Sequence, residues 1–136
     1  MPTIELFCNG KKLYNVKKLI ELTEKLPVSK IKLNELEHQL YLNTWISNNQ
    51  RVRPIDVLEY KKNKSNKKLQ KNYERIQNVD LKYPILLNQD LLVVDGLHRL
   101  AKAKREGKIL VTVKIVPNNI LSKAEIDVDV KKLKLC

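Results

Sequence analysis

Five consecutive residues, Asp95-Gly96-Leu97-His98-Arg99, bring a carboxylate, a glycine, an imidazole and a guanidinium to the point where an apolar run gives way to an amphipathic one. The chemistry open to such a group is phosphate binding. A glycine at a strand-to-helix turn allows a sharp change of direction and a close approach of a ligand to the main chain. The first helical turn then presents N–H groups without partners, here those of Leu97, His98 and Arg99, at the positive end of the helix dipole. Arg99 adds a forked cation suited to phosphate oxygens, and His98 adds a hydrogen-bond donor. Cations in a first turn oppose the dipole, and a bound anion would remove that conflict. Asp95 can hold Mg²⁺ or orient an attacking hydroxyl. It can equally cap the turn and pair with Arg99.

The elements that must position these residues follow from local pattern. Residues 84–88 and 91–95 read as strands around a Gln89-Asp90 turn, 97–106 as a helix closed by Gly107, and 108–116 as an alternating strand closed by Pro117-Asn118-Asn119. Upstream, residues 3–8 and 11–14 read as a hairpin about Asn9-Gly10. Asn15 is placed to cap a helix over 16–26 that Pro27 ends. Residues 28–33 read as a strand, 34–48 as a helix capped by Asn34, and 49–53 as a loop. Pro54 suits the first position of a helix over 55–60, and a further helix spans 69–79. Residues 126–135 alternate weakly, as a last strand would. The expected fold class is α/β (α+β): one domain over residues 1–136, a small mixed sheet with flanking helices, and a basic helical insertion at about 49–80.

Charge is uneven along the chain. The formal net charge is +12, and residues 61–79, KKNKSNKKLQKNYERIQNV, carry seven basic and one acidic group, half of the excess. Such a stripe can bind phosphate backbones or simply solvate a helix. Lys and Asn are common throughout, which favours the second. Candidate nucleic-acid or acceptor contacts in and near this segment are Arg51, Arg53, Lys67, Lys68, Lys71 and Arg75, and Arg75 can also pair with Asp80. The two cysteines, Cys8 and Cys136, make no disulfide framework, and no metal-binding spacing of Cys or His appears. No apolar run is long enough to span a membrane, and the N-terminal residues lack the apolar core of a signal peptide. The expectation is a cytoplasmic protein with no membrane partner.

The segment Tyr83–Val116, YPILLNQDLLVVDGLHRLAKAKREGKILVTVKIV, resembles the core of the ParB/sulfiredoxin superfamily, and PVSKIKLNELEHQL at 27–40 resembles that family's first box. Sulfiredoxins carry a nucleophilic cysteine where this chain has Leu97, so the resemblance does not extend to sulfinic-acid reduction. Partitioning ParB proteins add a helix-turn-helix domain, for which too few residues follow Val116. The DGxHR box of the free-serine kinases is the nearest match. That resemblance implies ATP or ADP bound through Gly96, Leu97, His98 and Arg99. It also implies Asp95 as a catalytic or Mg²⁺-associated carboxylate, and a glutamate of the first box, Glu35 or Glu37, as base. His38 reads as a surface residue.

Three functions compete. The first is nucleotide-dependent phosphotransfer, kinase-like, or nucleotide hydrolysis. The second is a nucleic-acid-binding or nuclease protein of the ParB-like sort that uses the basic segment. The third is a nucleotide-sensing module without turnover.

Overall fold

A computed structural model of the chain describes residues 6–9, 12–47, 50–59 and 67–126. Strands β1 (Leu6–Asn9) and β2 (Lys12–Asn15) pair antiparallel, with Leu6 opposite Asn15. The tip expected at Asn9-Gly10 and the start at residues 3–5 lie outside the described residues. Asn15 caps α1 (Val16–Leu22) by accepting a hydrogen bond from the Lys18 N–H at 3.1 Å. The helix stops four residues short of the expected Leu26. The Thr23 hydroxyl turns back to the carbonyls of Leu19 and Ile20, and Lys114 Nζ takes the carbonyls of Thr23 and Glu24 at 2.9 and 3.0 Å. A lysine 91 residues away, not Pro27, therefore satisfies the end of this helix.

After β3 (Ser29–Lys32) the expected long helix over 34–48 does not form. Two 3₁₀ turns, Leu33–Glu35 and Glu37–Tyr41, take its place, followed by β4 (Trp45–Ser47). Leu33, Leu36 and Gln39, each three apart, are all buried, which is the three-residue period of a 3₁₀ helix. Residues expected as a loop form β5 (Gln50–Val52), antiparallel to β4 with Trp45 opposite Val52.

Pro54 opens α2 (Pro54–Leu58) as expected, and α3 spans Lys67–Asn78. Then come β6 (Ile85–Leu87), β7 (Val93–Asp95), α4 (Leu97–Arg105) and β8 (Leu110–Ile115). Pro117, with φ −61°, starts α5 (Asn118–Lys123) instead of closing a turn. The chain then returns as β9 (Glu125–Ile126) beside β2. The remaining residues of the expected last strand lie outside the described part.

The central sheet has the order β3-β8-β6-β7, in which only β6 and β8 run parallel. The molecule is a small mixed α/β domain. Both faces of β6 and β7 are buried, and side-chain alternation divides them. Ile85, Leu87, Val93, Val111 and Val113 pack with Leu100 and Ala101 of α4, Ile76 of α3, Val57 of α2 and Trp45. Leu86 and Val94 pack with Tyr14, Leu19 of α1 and Leu121 of α5. No helix among the described residues is long and apolar enough to cross a membrane.

Candidate functional site

The β6–β7 connection is built by one side chain. Asn88 is buried, and its Oδ1 accepts from the N–H groups of Asp90 and Leu92, each at 2.9 Å. Leu91 completes the turn at φ 63°. Gln39 holds β7 from the other side. Its Oε1 accepts from the Val93 N–H at 2.7 Å and its Nε2 donates to the Leu91 carbonyl at 2.8 Å. An amide from the first box thus stands where a neighbouring strand would.

β7 delivers Asp95 to Gly96, and the direction changes there. Gly96 has φ 111°, and a Cβ on it would lie 3.2 Å from Ile85 Cα and 3.3 Å from Arg99 Nη1. Conformation and space both require glycine. Gly96 has no side chain with which to cap α4, and among the described residues no side-chain oxygen accepts from the first N–H groups of the helix.

Arg99 folds back over this turn. Its Nη2 donates to Asp95 Oδ2 at 3.0 Å and its Nη1 donates to the Pro84 carbonyl. The two side chains are 18% and 15% exposed, so the pair is shielded but reachable. The helix-capping alternative for Asp95 is realised only as the ion pair with Arg99. Oδ1 of Asp95 keeps its lone pairs. Among the described residues no group of three or more His, Cys, Asp or Glu side chains could hold a metal ion.

His98 is occupied. Its ring stacks on Trp45 with centroids 4.2 Å apart and planes at 13°, and its Nε2–H donates to Asn72 Oδ1 at 2.9 Å. Burial, with the charges of Arg75 and Arg99, pushes its pKa down to about 3. The imidazole is neutral at physiological pH and brings no cation to the turn.

The first-box glutamates are not gathered at the turn. Glu37 pairs with Lys104 on α4, and Glu35 is exposed, with no hydrogen bond or ion pair among the described residues. His38 is exposed as expected. In the insertion, Arg53 is clamped to Asp56, with Nη2 to Oδ1 at 2.6 Å, and this holds the Asp56 carboxyl below its usual pKa. Arg51 Nη1 donates to the Asn43 carbonyl at 3.2 Å. Lys71 and Arg75 are exposed on α3. Lys67 and Lys68 open that helix, their side chains lying outside the described residues. The expected Arg75–Asp80 pair is not made; Asp80 faces Lys82 at 3.8 Å.

Sequence reasoning missed Gln39, Asn72, Trp45 and Lys102 as supports of the site. Lys102 Nζ caps the end of α3 through the carbonyls of Gln77 and Val79, at 3.1 and 2.7 Å. Asn72 carried a readable signal. It lies three after Leu69 and four before Ile76, a polar residue on the apolar stripe.

No family model, curated protein or solved structure matches this chain.

Proposed function

We propose that the chain binds ATP or ADP at the N-terminus of α4 and transfers or hydrolyses the terminal phosphoryl group there. The observation that carries this reading is the uncapped turn at Gly96, φ 111°, with the Asp95–Arg99 pair beside it. The likeness of DGLHR to the nucleotide-binding box of the ParB/sulfiredoxin superfamily supports it. In this reading the main-chain N–H groups of Leu97, His98 and Arg99 meet the phosphate, and the Arg99 guanidinium binds its outer oxygens. The His98 ring acts as a positioning group, fixing the first turn of α4 against Trp45 and Asn72. Mg²⁺, when bound, would neutralise charge between Asp95 and the phosphates. Asp95 also orients the attacking hydroxyl or water. The new P–O bond forms to that oxygen, the bond to the nucleotide's bridging oxygen breaks, and the proton passes to Asp95, the carboxylate at the turn.

Calorimetric titration with ADP and ATP, beside a phosphate-release assay and a screen of small hydroxyl acceptors, tests this. Arg99→Gln should weaken nucleotide binding about ten- to a hundredfold, the loss of one charge-assisted contact of about 1.5–3 kcal/mol. Asp95→Asn should retain binding while turnover falls by orders of magnitude. A wild type without nucleotide affinity overturns the proposal.

One observation favours a second reading, a nucleic-acid surface. Half the net charge lies in residues 61–79, and Lys71 and Arg75 are exposed there. On that reading, affinity for a DNA duplex falls steeply with salt. The logarithmic slope should then flatten by about 0.9 for each cation neutralised.

A further inference from the structure

β6 begins at Ile85, whose partner on β8 is Val113. Residues 110–112 of β8 consequently have β3 on one side and, among the described residues, no strand on the other. The space left there is a cavity of about 220 Å³, walled by the approach to β6, by α4 and by this stretch of β8. It is smaller than the ~300–1,000 Å³ of drug-sized ligand sites. That volume is on the scale of a small metabolite rather than of a nucleotide.

Its lining is divided in character. Leu81, Tyr83 and Leu110 supply apolar surface, and Tyr83 and Leu110 are 57% and 50% exposed. Arg99 and Lys108 supply the charge. Arg99 has five N–H donors, and Asp95 and the Pro84 carbonyl take only two of them. Lys108 has no hydrogen bond or ion pair for its side chain among the described residues. Of the acids nearby, Asp80 faces Lys82 at 3.8 Å and Asp95 is paired with Arg99 at 3.0 Å, so Lys108 is the charge left uncompensated. Thr112 adds a hydroxyl. An occupant must be small, anionic at one end and apolar at the other.

We propose that this cavity binds a small organic monocarboxylate, its carboxylate on Arg99 and Lys108 and its apolar body against Leu81, Tyr83 and Leu110. A carboxylate can accept from the N–H groups that Arg99 has left over and from the Lys108 ammonium together. The site goes beyond the nucleotide reading and shares with it only Arg99.

The test is a titration of the whole chain with butyrate, hexanoate and benzoate, each beside its uncharged amide, and with inorganic phosphate, followed by amide chemical shifts. At least one carboxylate should saturate and move the amides of residues 110–112, with its amide analogue at least about tenfold weaker. Lys108→Gln, an exposed change that leaves the fold intact, should weaken that carboxylate about tenfold. The same variant should bind ADP as wild type does, so a failure here is separable from a failure of the nucleotide site. Saturation by phosphate but by no carboxylate overturns the proposal. So do equal affinities for carboxylate and amide, or full carboxylate affinity retained in Lys108→Gln.

Discussion

At the scale of the residue, two positions at the Gly96 turn allow sharp tests. Gly96→Ala places a side chain at φ 111° and within 3.2 Å of Ile85. It should cost about 1–3 kcal/mol in denaturant unfolding and displace Arg99, whose Nη1 packs against the same spot. His98 is held neutral, with a pKa of about 3 against its ordinary 6.5. Because the folded pKa is depressed, the unfolded chain binds the extra proton between those values, and stability rises with pH across that window. Relative to His98→Gln, which keeps an N–H donor but does not titrate, the wild type should lose stability as pH falls from about 6.5 towards 3. The limiting slope is about 1.4 kcal/mol per pH unit. Parallel curves for the two proteins would show that His98 is not the titrating group.

At the scale of the element, the site rests on side chains that stand in for missing backbone partners. Gln39 bonds the edge of β7 twice. Gln39→Leu keeps the bulk but leaves a buried N–H and a carbonyl unpaired, and should cost about 1–3 kcal/mol, read from the denaturation midpoint. Lys102 closes α3 through Gln77 and Val79. Lys102→Met should strip hydrogen-exchange protection from the last turn of α3 while lowering global stability by only about 1 kcal/mol. The elements read correctly from sequence were those with local punctuation. Asn15 and Pro54 began helices, and Gly107, at φ 71°, followed the end of α4. Punctuation misled elsewhere: Asn34 begins no long helix, α1 ends before Pro27 is reached, and Pro117 starts α5. Residues 33–47 carry apolar side chains at spacings that suit either an α-helix or 3₁₀ turns, and their contacts with β7 decided between them. The end of α1 was misread because its capping group, Lys114, lies on β8.

At the scale of the whole molecule, one sheet serves two cores. Ile85, Leu87 and Val93 belong to one, and Leu86 and Val94, on the same two strands, belong to the other. Neither layer can open without stripping the strands the other uses. Unfolding followed by Trp45 fluorescence, which reports the layer with α4, should therefore coincide with unfolding followed by far-ultraviolet circular dichroism. Separate midpoints would mean that the layers fold independently. By itself the sequence determined the strand–Gly96–helix turn, the mixed sheet around it and the concentration of charge in residues 61–79. Those depend on turn chemistry, periodicity and composition, which are local properties. Only the tertiary structure decided what the motif's side chains do. It set His98 against Trp45 and against Asn72, 26 residues away, paired Glu37 with Lys104 on α4, and left an open cavity beside Arg99. A side chain's partner is chosen by which elements pack together, and spacing along the chain carries no record of that.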